Sequence, residues 1–234
     1  MRRKGLIVFS VISFLSATLT FQSCKSQAEK GLLERYFHAI SLKDTMTMST
    51  MAVEPQSIDV ESWEIASVSE EKVEPAKLPD LNKTELELKK KLEDHVGPVM
   101  DAEDAKYAAE EELKAARTGG AKAAAKKKVE ESTALFDQER EVHRQLQKDY
   151  NEAKAAAQKE EEISVFSLGA GNEVPNIRDL TGTAYSKEVE VKIVGKDGQA
   201  RNYRVYLIRY ELRDETINLT RRGRWIIARF EPIS

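Results

Sequence analysis

The order of hydrophobic and polar positions along the chain divides it into five segments. A basic start and a continuous apolar run occupy residues 1–21. Apolar residues recur at helical spacing in residues 31–55 and alternate partly with polar ones in residues 58–74. Residues 81–162 are rich in alanine, lysine and glutamate, and residues 163–234 return to alternation. Because helices and strands repeat their buried positions at different periods, this order predicts a leader, short helices, a strand, long helices and a final set of strands.

Residues 31–55 predict two short helices. Asp44 can cap the second of them, which carries three methionines and ends at Pro55. His38 lies beside the apolar stripe of the first helix, where packing or a surface hydrogen bond is its expected role and ligand binding is the alternative. The stripe consists of Leu32, Leu33, Tyr36, Phe37 and Ile40.

The alternation in residues 58–74 predicts one strand with a bulge or break near Ser62. Pro75 and Pro79 are expected to stop it, because proline cannot donate a hydrogen bond to a neighbouring strand. The apolar positions of this strand are Ile58, Val60, Trp63, Ile65 and Val68.

The alanine-, lysine- and glutamate-rich segment predicts two long helices, since these residues are strong helix formers. Gly97-Pro98 should kink or interrupt the first helix, and Thr118-Gly119-Gly120 should turn the chain. The expected helices are therefore about 80–117 and 121–162, an antiparallel hairpin that projects roughly 55–60 Å. Positions spaced alternately by three and four along the second helix predict a coiled-coil-like seam. They are Val129, Ser132, Phe136, Glu139, His143, Leu146, Tyr150, Ala153 and Ala157, and the first helix offers Leu81, Leu88, Leu92, Val99, Ala109 and Leu113.

This hairpin has polar residues in its seam and two runs of lysine on its surface. Glu139 and His143 occupy seam positions, so either the helices dock partly on something else or the tip is mobile. The lysine runs 89–91 and 126–128 are balanced by nearby glutamates and lack interleaved aromatic residues. We therefore interpret them as a solvated helix face and predict no binding of nucleic acid.

Residues 163–234 predict an antiparallel meander. One strand carries bulky residues on both faces, so it is expected to be central in the sheet. A tight turn precedes it, in which the Asp-Gly pair supplies positive φ angles. In chain order the expected elements are a short strand at 163–168, a strand at 183–194, the turn at 195–198, the central strand at 203–210, a polar loop at 214–223 and a last strand at 224–230.

The N-terminus has the layout of a secretory signal. Residues 1–5 are basic, and the apolar run Leu6–Phe21 covers 16 residues with several serines and threonines. A membrane-spanning helix would need about 20 apolar residues, so a processed leader is favoured. We predict that residues 1–23 form a signal peptide.

The only cysteine of the chain follows this leader. The stretch Phe21-Gln22-Ser23-Cys24 resembles a bacterial lipobox, in which a small residue precedes a lipidated cysteine. The resemblance implies a diacylglyceryl thioether and an acylated amine, such as a palmitoyl amide, on Cys24. Two acyl signals give stable anchoring. The alternative is a plain signal peptide cut near Ser23, with Cys24 a free thiol. Because Lys25 follows the cysteine, the resemblance implies no inner-membrane retention, and the outer membrane facing the periplasm is expected where two membranes exist.

Composition excludes several classes of function. The formal net charge is −3, and loss of the three basic residues of the leader would leave 34 basic against 40 acidic residues, or −6. Such a chain is a poor general ligand for polyanions. One cysteine allows neither an internal disulfide nor a cysteine-rich zinc module. The three histidines show no ligand spacing, and the sequence has no phosphate-binding loop or hydrolase motif. No cofactor or metal is therefore predicted.

Without the hairpin, the predicted order is two helices, one strand, a helical connection and three long antiparallel strands. The segments LLERYFHAISLKDTMTMSTMA at 32–52 and GRWIIARFEPI at 223–233 carry a resemblance to the nuclear-transport-factor-2-like superfamily. The resemblance implies an α+β fold, in which a small curved antiparallel sheet wraps over N-terminal helices to form a cone. The hairpin would enlarge that family's helical connection. A plain α+β domain with a coiled-coil-like insertion predicts nearly the same geometry.

That superfamily includes enzymes and binding modules, so the fold does not choose between them. An enzyme would need a carboxylate or a His–Asp pair of shifted pKa at the mouth of the cone. Asp44 and Glu54 are near His38 in sequence but form no recognisable motif, and no catalytic residue is predicted. The arginines of the C-terminal sheet leave an anion-binding pocket as an alternative to a merely soluble surface. The candidate pocket residues are His38, Trp63, Tyr203 and Trp225.

These observations predict a non-enzymatic envelope lipoprotein that contacts a protein or the cell wall. Its expected parts are a lipidated tether at 24–30, two halves of an α+β domain at 31–78 and 163–234, and a hairpin insertion at 79–162 that carries the partner-binding surface. One alternative is a small-molecule binding module or enzyme with its site in the cone. Another is an adaptor that oligomerises through the hairpin. A filled apolar core would favour the first hypothesis, and an enclosed cavity holding His38 or a buried carboxylate the second.

Overall fold

A computed structural model describes residues 28–169 and 174–233. The predicted signal peptide and Cys24 lie outside the described residues, as does most of the predicted tether. The elements are α1 (Ala28–Ser41), α2 (Thr45–Ser49), β1 (Ser62–Val68), β2 (Lys72–Pro75), α3 (Leu78–Asp94), α4 (Val96–Ala115), α5 (Gly119–Gly169), a 3-10 turn (Ile177–Asp179), β3 (Thr181–Val194), β4 (Ala200–Asp214), β5 (Leu219–Arg222) and β6 (Ile226–Ile233).

The two N-terminal helices are confirmed. Helix α1 buries all five residues of the predicted stripe. The Asp44 side chain caps α2 by accepting a hydrogen bond of 3.0 Å from the backbone N–H of Thr47. This contact satisfies an N–H group that has no partner within the helix.

The strands form one curled, antiparallel half-barrel sheet. Its centre is the long β3–β4 hairpin, whose register runs from Thr181 opposite Arg213 to Val194 opposite Ala200. Strands β1 and β2 both pair with β3, and strands β5 and β6 both pair with β4. The central place predicted for β4 is therefore confirmed. In the hairpin turn only Gly198 has a positive φ, of 71°, whereas two such angles were expected from the Asp-Gly pair.

Two sheet predictions are corrected by the structure. The segment 58–74 contains two strands, because its pairing with β3 stops after Val68 and resumes at Lys72. Val60 is buried but lies before β1 begins. The break therefore falls well after Ser62. The loop predicted at 214–223 contains the short strand β5, which pairs with the end of β4.

The segment Ile163–Leu168 is helical, which corrects the strand predicted there. Its β-branched residues favour a strand locally. However, the buried positions Ala157, Ser164 and Ser167 continue the spacing of the preceding helix. Val165 and Leu168 pack against the sheet from that helix. Tertiary packing thus outweighs local propensity, and the boundary expected at residue 162 moves to Gly169.

The sheet carries a hydrophobic cluster on each face. Side chains alternate along a strand, so β4 places Val205 and Leu207 in one cluster and Tyr210 and Leu212 in the other. Helices α1 and α2 cover the first cluster. The first residues of α3 and the last turns of α5 cover the second, which includes Leu78.

Helices α3, α4 and α5 form a helical arm, which we define as residues 78–169. Both α3 and α4 pack against α5. Residues later in α3 and α4 contact residues earlier in α5. His95 lies 3.0 Å from Glu139, whereas Lys128 lies 2.6 Å from Glu112. At 1.5 Å per residue, the 51 residues of α5 extend about 75 Å.

The predicted interruption near Gly97-Pro98 is confirmed at His95, where α3 ends and α4 begins. Pro98 then lies in the first turn of α4, where its missing N–H removes no helical hydrogen bond. Within the residues that the structure describes, no helix combines the length and apolar character needed to cross a bilayer.

Candidate functional site

The four candidate pocket residues do not meet at one site. His38 and Trp225 line a common groove. Trp63 instead stacks on Phe37, with ring centroids 4.6 Å apart, and Tyr203 packs 5.1 Å from Phe230. Two of the four residues therefore belong to the edge of the hydrophobic core.

The interior of the curled sheet, where the superfamily resemblance would place a pocket, is filled by side chains of α1. Tyr36 and Phe37 are almost completely buried there against Phe230. The Tyr36 hydroxyl accepts a hydrogen bond of 2.9 Å from the backbone N–H of Gln56, and burial raises the pKa of Tyr36. The inner face of the sheet therefore serves as a core.

The groove that holds His38 and Trp225 is open to solvent and has a volume of about 1160 Å³. One wall is α1, from Gly31 to Leu42, and the other is the segment Gly223–Trp225 between β5 and β6. Residues of α2 close one side. The His38 side chain is exposed on this wall, in keeping with the surface role expected for it.

Three arginines line the groove. The Arg209 guanidinium lies 4.2 Å from the ring centroid of Tyr185 and 5.5 Å from that of Trp225. The Arg224 guanidinium lies 5.3 Å from the ring of Phe166. Arg35 donates a hydrogen bond of 3.2 Å from Nε to the carbonyl of Gly31. Among the described residues, no carboxylate lies within ion-pair distance of any of these three guanidinium groups.

Two acidic residues, Glu34 and Asp44, also line the groove. Both have partners elsewhere. Glu34 faces Lys30 at 3.9 Å, and Asp44 is held by the side chain and backbone of Thr47, whose hydrogen bonds lower the pKa of Asp44. Asp44 keeps its negative charge, because Thr47 is neutral. Three arginines against these two carboxylates leave the groove with an excess of one positive charge.

The base of the arm fixes one wall of the groove. The backbone N–H of Arg224 donates to the carbonyl of Ser167 at 2.8 Å, and the Ser167 hydroxyl donates to the carbonyl of Arg224 at 2.9 Å. A Cβ atom on Gly223 would lie 2.3 Å from Ser167 Oγ, closer than real atoms approach. Only glycine therefore fits between the arm and this wall.

A polar cluster attaches the arm to the remainder of the fold. Arg178 donates hydrogen bonds to Glu85 of α3 at 2.7 Å and to Glu161 of α5 at 2.8 Å. The Tyr210 hydroxyl donates to Glu160 at 2.7 Å. Burial, together with the negative charge of Glu160, raises the pKa of Tyr210 far above its usual value. These contacts are arranged to hold the helices together rather than to move a proton.

A second polar cluster lies within the arm. His95 Nε2 is 3.0 Å from a carboxylate oxygen of Glu139, and the rings of His95 and His143 are 5.9 Å apart. The Nδ1 atoms of both histidines are buried without a hydrogen-bond partner. Sequence reasoning noticed the polar seam positions Glu139 and His143 but missed His95. Continuing the three-and-four spacing back from Val99 would have placed His95 opposite them.

In the part of the chain that the structure describes, no group of three or more histidine, cysteine, aspartate or glutamate side chains is arranged to hold a metal ion. Comparison with protein-family models, with curated proteins and with solved structures finds no match for the chain.

Proposed function

We propose that the protein is a non-enzymatic lipoprotein of the bacterial cell envelope. Acyl groups on Cys24 anchor it to a membrane, which is the outer membrane where two are present. The sheet domain stays near that membrane, and the helical arm binds an envelope protein. The arm is interpreted as a coiled-coil-like antiparallel hairpin inserted into a fold that resembles the nuclear-transport-factor-2-like superfamily.

The observation that carries the partner-binding role is an exposed apolar stripe along the outer side of α3 and α4. Met100 and Tyr107 expose 58% and 56% of their surface. Leu86 and Val96 are also exposed. Each of the four follows a residue that is at least partly buried, namely Glu85, His95, Val99 or Lys106. They therefore share one edge of the arm. Apolar side chains that line up on a solvent-facing helix mark a surface that another protein covers.

The sheet domain supports a binding role better than a catalytic one. Its inner face is a filled core, and its groove is open. The pKa of Asp44, a carboxyl group in the groove, is lowered by hydrogen bonds from Thr47, whereas a general acid needs a raised pKa. His38 is exposed and has no described carboxylate within ion-pair distance.

The anchor is tested by the intact mass of the processed protein beside that of a Cys24→Ala variant. We expect a mature chain that begins at Cys24 and carries the mass of the acyl groups, and we expect the variant to lack both. A mature wild-type chain without added lipid mass would reject the anchor.

The partner surface is tested by a photo-crosslinking residue placed at Met100 in the membrane-anchored protein in cells. We expect one discrete crosslinked species, lost when Tyr107→Glu is added. A crosslinker at Met46, which is 80% exposed on α2 outside the arm, is the matched control. Equal products from both positions would contradict the proposal. A crosslinked species with twice the mass of the chain would indicate the alternative, self-association through the arm.

A further inference from the structure

We propose that the groove between α1 and Gly223–Trp225 docks onto anionic phospholipid headgroups of the membrane that carries the anchor. In this arrangement Arg35, Arg209 and Arg224 bind lipid phosphate groups. The inference rests on the proposed function in one respect, the attachment of acyl groups to Cys24.

Arg209 is held ready to bind an oxyanion. The rings of Tyr185 and Trp225 fix its guanidinium at the wall of the groove, and its Nε atom is buried without a partner. Tyr185 lies directly opposite Arg209 in the β3–β4 register, so the sheet itself sets this stacking. A planar guanidinium that is already immobilised loses little entropy when it forms paired hydrogen bonds with a phosphate.

The charge of the groove fits an anion. Arg35 and Arg224 lie on the two walls that flank Arg209. Glu34 lies 3.9 Å from Lys30, and Asp44 accepts hydrogen bonds from Thr47. Three guanidinium groups therefore face two carboxylates, and the excess is one positive charge. The mature chain as a whole is acidic, so this local excess of positive charge distinguishes the groove from the average surface. An acidic protein with one basic groove should turn that groove toward a negatively charged membrane.

The position of the anchor selects lipid as the source of the phosphate. Ala28 lines the groove and is the first residue of α1. It lies four positions after Cys24, with three residues between them. Four residues span at most about 14 Å even when fully extended. A lipid-anchored Cys24 therefore keeps this end of the groove within that distance of the headgroups. Each arginine that reaches the anionic surface should strengthen docking about fivefold.

Trp225 makes the docking measurable. The chain contains two tryptophans, and a Trp63→Phe background leaves Trp225 as the single reporter. The processed, lipid-bearing protein is reconstituted into nanodiscs of phosphatidylcholine alone or with phosphatidylglycerol, each containing a lipid spin-labelled near the headgroup. Quenching of Trp225 then gives the docking equilibrium constant. We expect strong quenching with phosphatidylglycerol only, reversed by 0.5 M salt, a concentration at which the Debye length is only about 4 Å.

Variants identify the arginines responsible. Arg209→Gln and Arg224→Gln should each lower the docking constant about fivefold. Arg213→Gln and Arg222→Gln make the same charge change on residues outside the groove and should leave the constant within twofold. Equal quenching in both kinds of nanodisc, or equal losses in the groove and control variants, would overturn the proposal.

Three further outcomes separate this inference from the alternatives. If glycerol phosphate shifts Trp225 emission but phosphatidylglycerol does not quench it, the groove is a site for a free phosphate compound, and the lipid proposal is wrong. If the mass measurement shows acyl groups on Cys24 but Trp225 is not quenched, the anchor stands and only the docking fails. If the mass measurement shows no acyl groups and the protein still docks on added phosphatidylglycerol vesicles, the anchor is rejected and the docking of the groove on lipid is supported.

Discussion

Ser167, near the end of α5, makes hydrogen bonds to strand β4 and to the segment Gly223–Trp225. Its hydroxyl accepts from the backbone N–H of Tyr210 at 3.2 Å and donates to the carbonyl of Arg224. Two turns earlier in the same helix, Glu160 accepts a hydrogen bond from the Tyr210 hydroxyl. Tyr210 is therefore held at both its backbone and its side chain, on the face of the sheet that the arm covers.

The raised pKa of Tyr210 predicts a loss of stability at alkaline pH. Below about pH 10, tyrosine is neutral in both the folded and the unfolded protein, and the stabilisation is complete. Above that pH the unfolded chain ionises while folded Tyr210 does not, so the free energy of unfolding falls as pH rises. Urea denaturation between pH 8 and 11.5 should show this fall.

Variants isolate the contribution of this hydroxyl. Tyr210→Phe should lower the stability at pH 7 by about 1–2 kcal/mol, because Glu160 loses its partner, and should flatten the alkaline decline. Tyr107→Phe changes an exposed tyrosine of the arm and should leave both unchanged. A decline that is as steep in Tyr210→Phe as in the wild type would contradict the role assigned to Tyr210.

At the scale of elements, the arm consists of α3 and α4 packed against the long helix α5, and its buried positions keep a spacing of three and four. The spacing continues through the α3–α4 break, since Leu92, His95 and Val99, which lie before, at and after it, are all partly buried. It also continues in α5 beyond the predicted end, through Ser164 and Ser167. The layer of His95, Glu139 and His143 keeps the spacing of the seam but places polar side chains in it.

Replacing that polar layer should stabilise the arm. The triple variant His95→Leu, Glu139→Leu, His143→Leu should raise its stability by about 1–4 kcal/mol, because buried polar groups without full hydrogen bonding cost more than apolar packing. Thermal unfolding followed by helical circular dichroism measures the change. The single variant Glu139→Leu is the control, and it should destabilise, since it leaves His95 without its carboxylate partner.

A triple variant that unfolds at the same or a lower temperature than the wild type would contradict this prediction. It would show that the polar layer costs the arm no stability.

At the scale of the whole molecule, the sheet separates two packed clusters, and the arm is attached on one face while α1 and α2 lie on the other. The attachment combines the second hydrophobic cluster with a small number of polar contacts. Arg178 follows the arm in sequence and joins α3 to α5 through Glu85 and Glu161. Glu85 is almost completely buried, so loss of its partner would leave a carboxylate without compensation.

Arg178→Met should therefore loosen the base of the arm. We expect a loss of about 1–3 kcal/mol, intermediate between exposed and fully buried ion pairs. Hydrogen exchange should accelerate in the first turns of α3 and the last turns of α5. Lys128→Met removes an exposed ion pair with Glu112 at the other end of the arm and should change stability by less than 0.5 kcal/mol. Equal effects of the two variants would refute a special role for Arg178 at the attachment.

Much of the architecture follows from spacing and capping that residues close in sequence decide. The stripe and cap of the first two helices, the interruption near Gly97-Pro98, the tight turn before β4 and the central place of β4 were all predictable for this reason. The same local information misassigned Ile163–Leu168, because isoleucine and valine favour strands when no neighbour is considered. Only the contact of that segment with the sheet decides that it is helical.

The composition of the candidate sites was decided by the tertiary structure. His38 and Trp225 meet because the curl of the sheet brings the β5–β6 segment beside α1, whereas Trp63 and Tyr203 are drawn into the core. Arg209 acquires its aromatic neighbours from the β3–β4 register and from Trp225 on a later segment. The sequence by itself determined which residues prefer helices, strands and turns, and it carried the lipobox-like resemblance at Cys24. Only the packed fold decided which distant side chains share a surface, because that depends on how whole elements fit together.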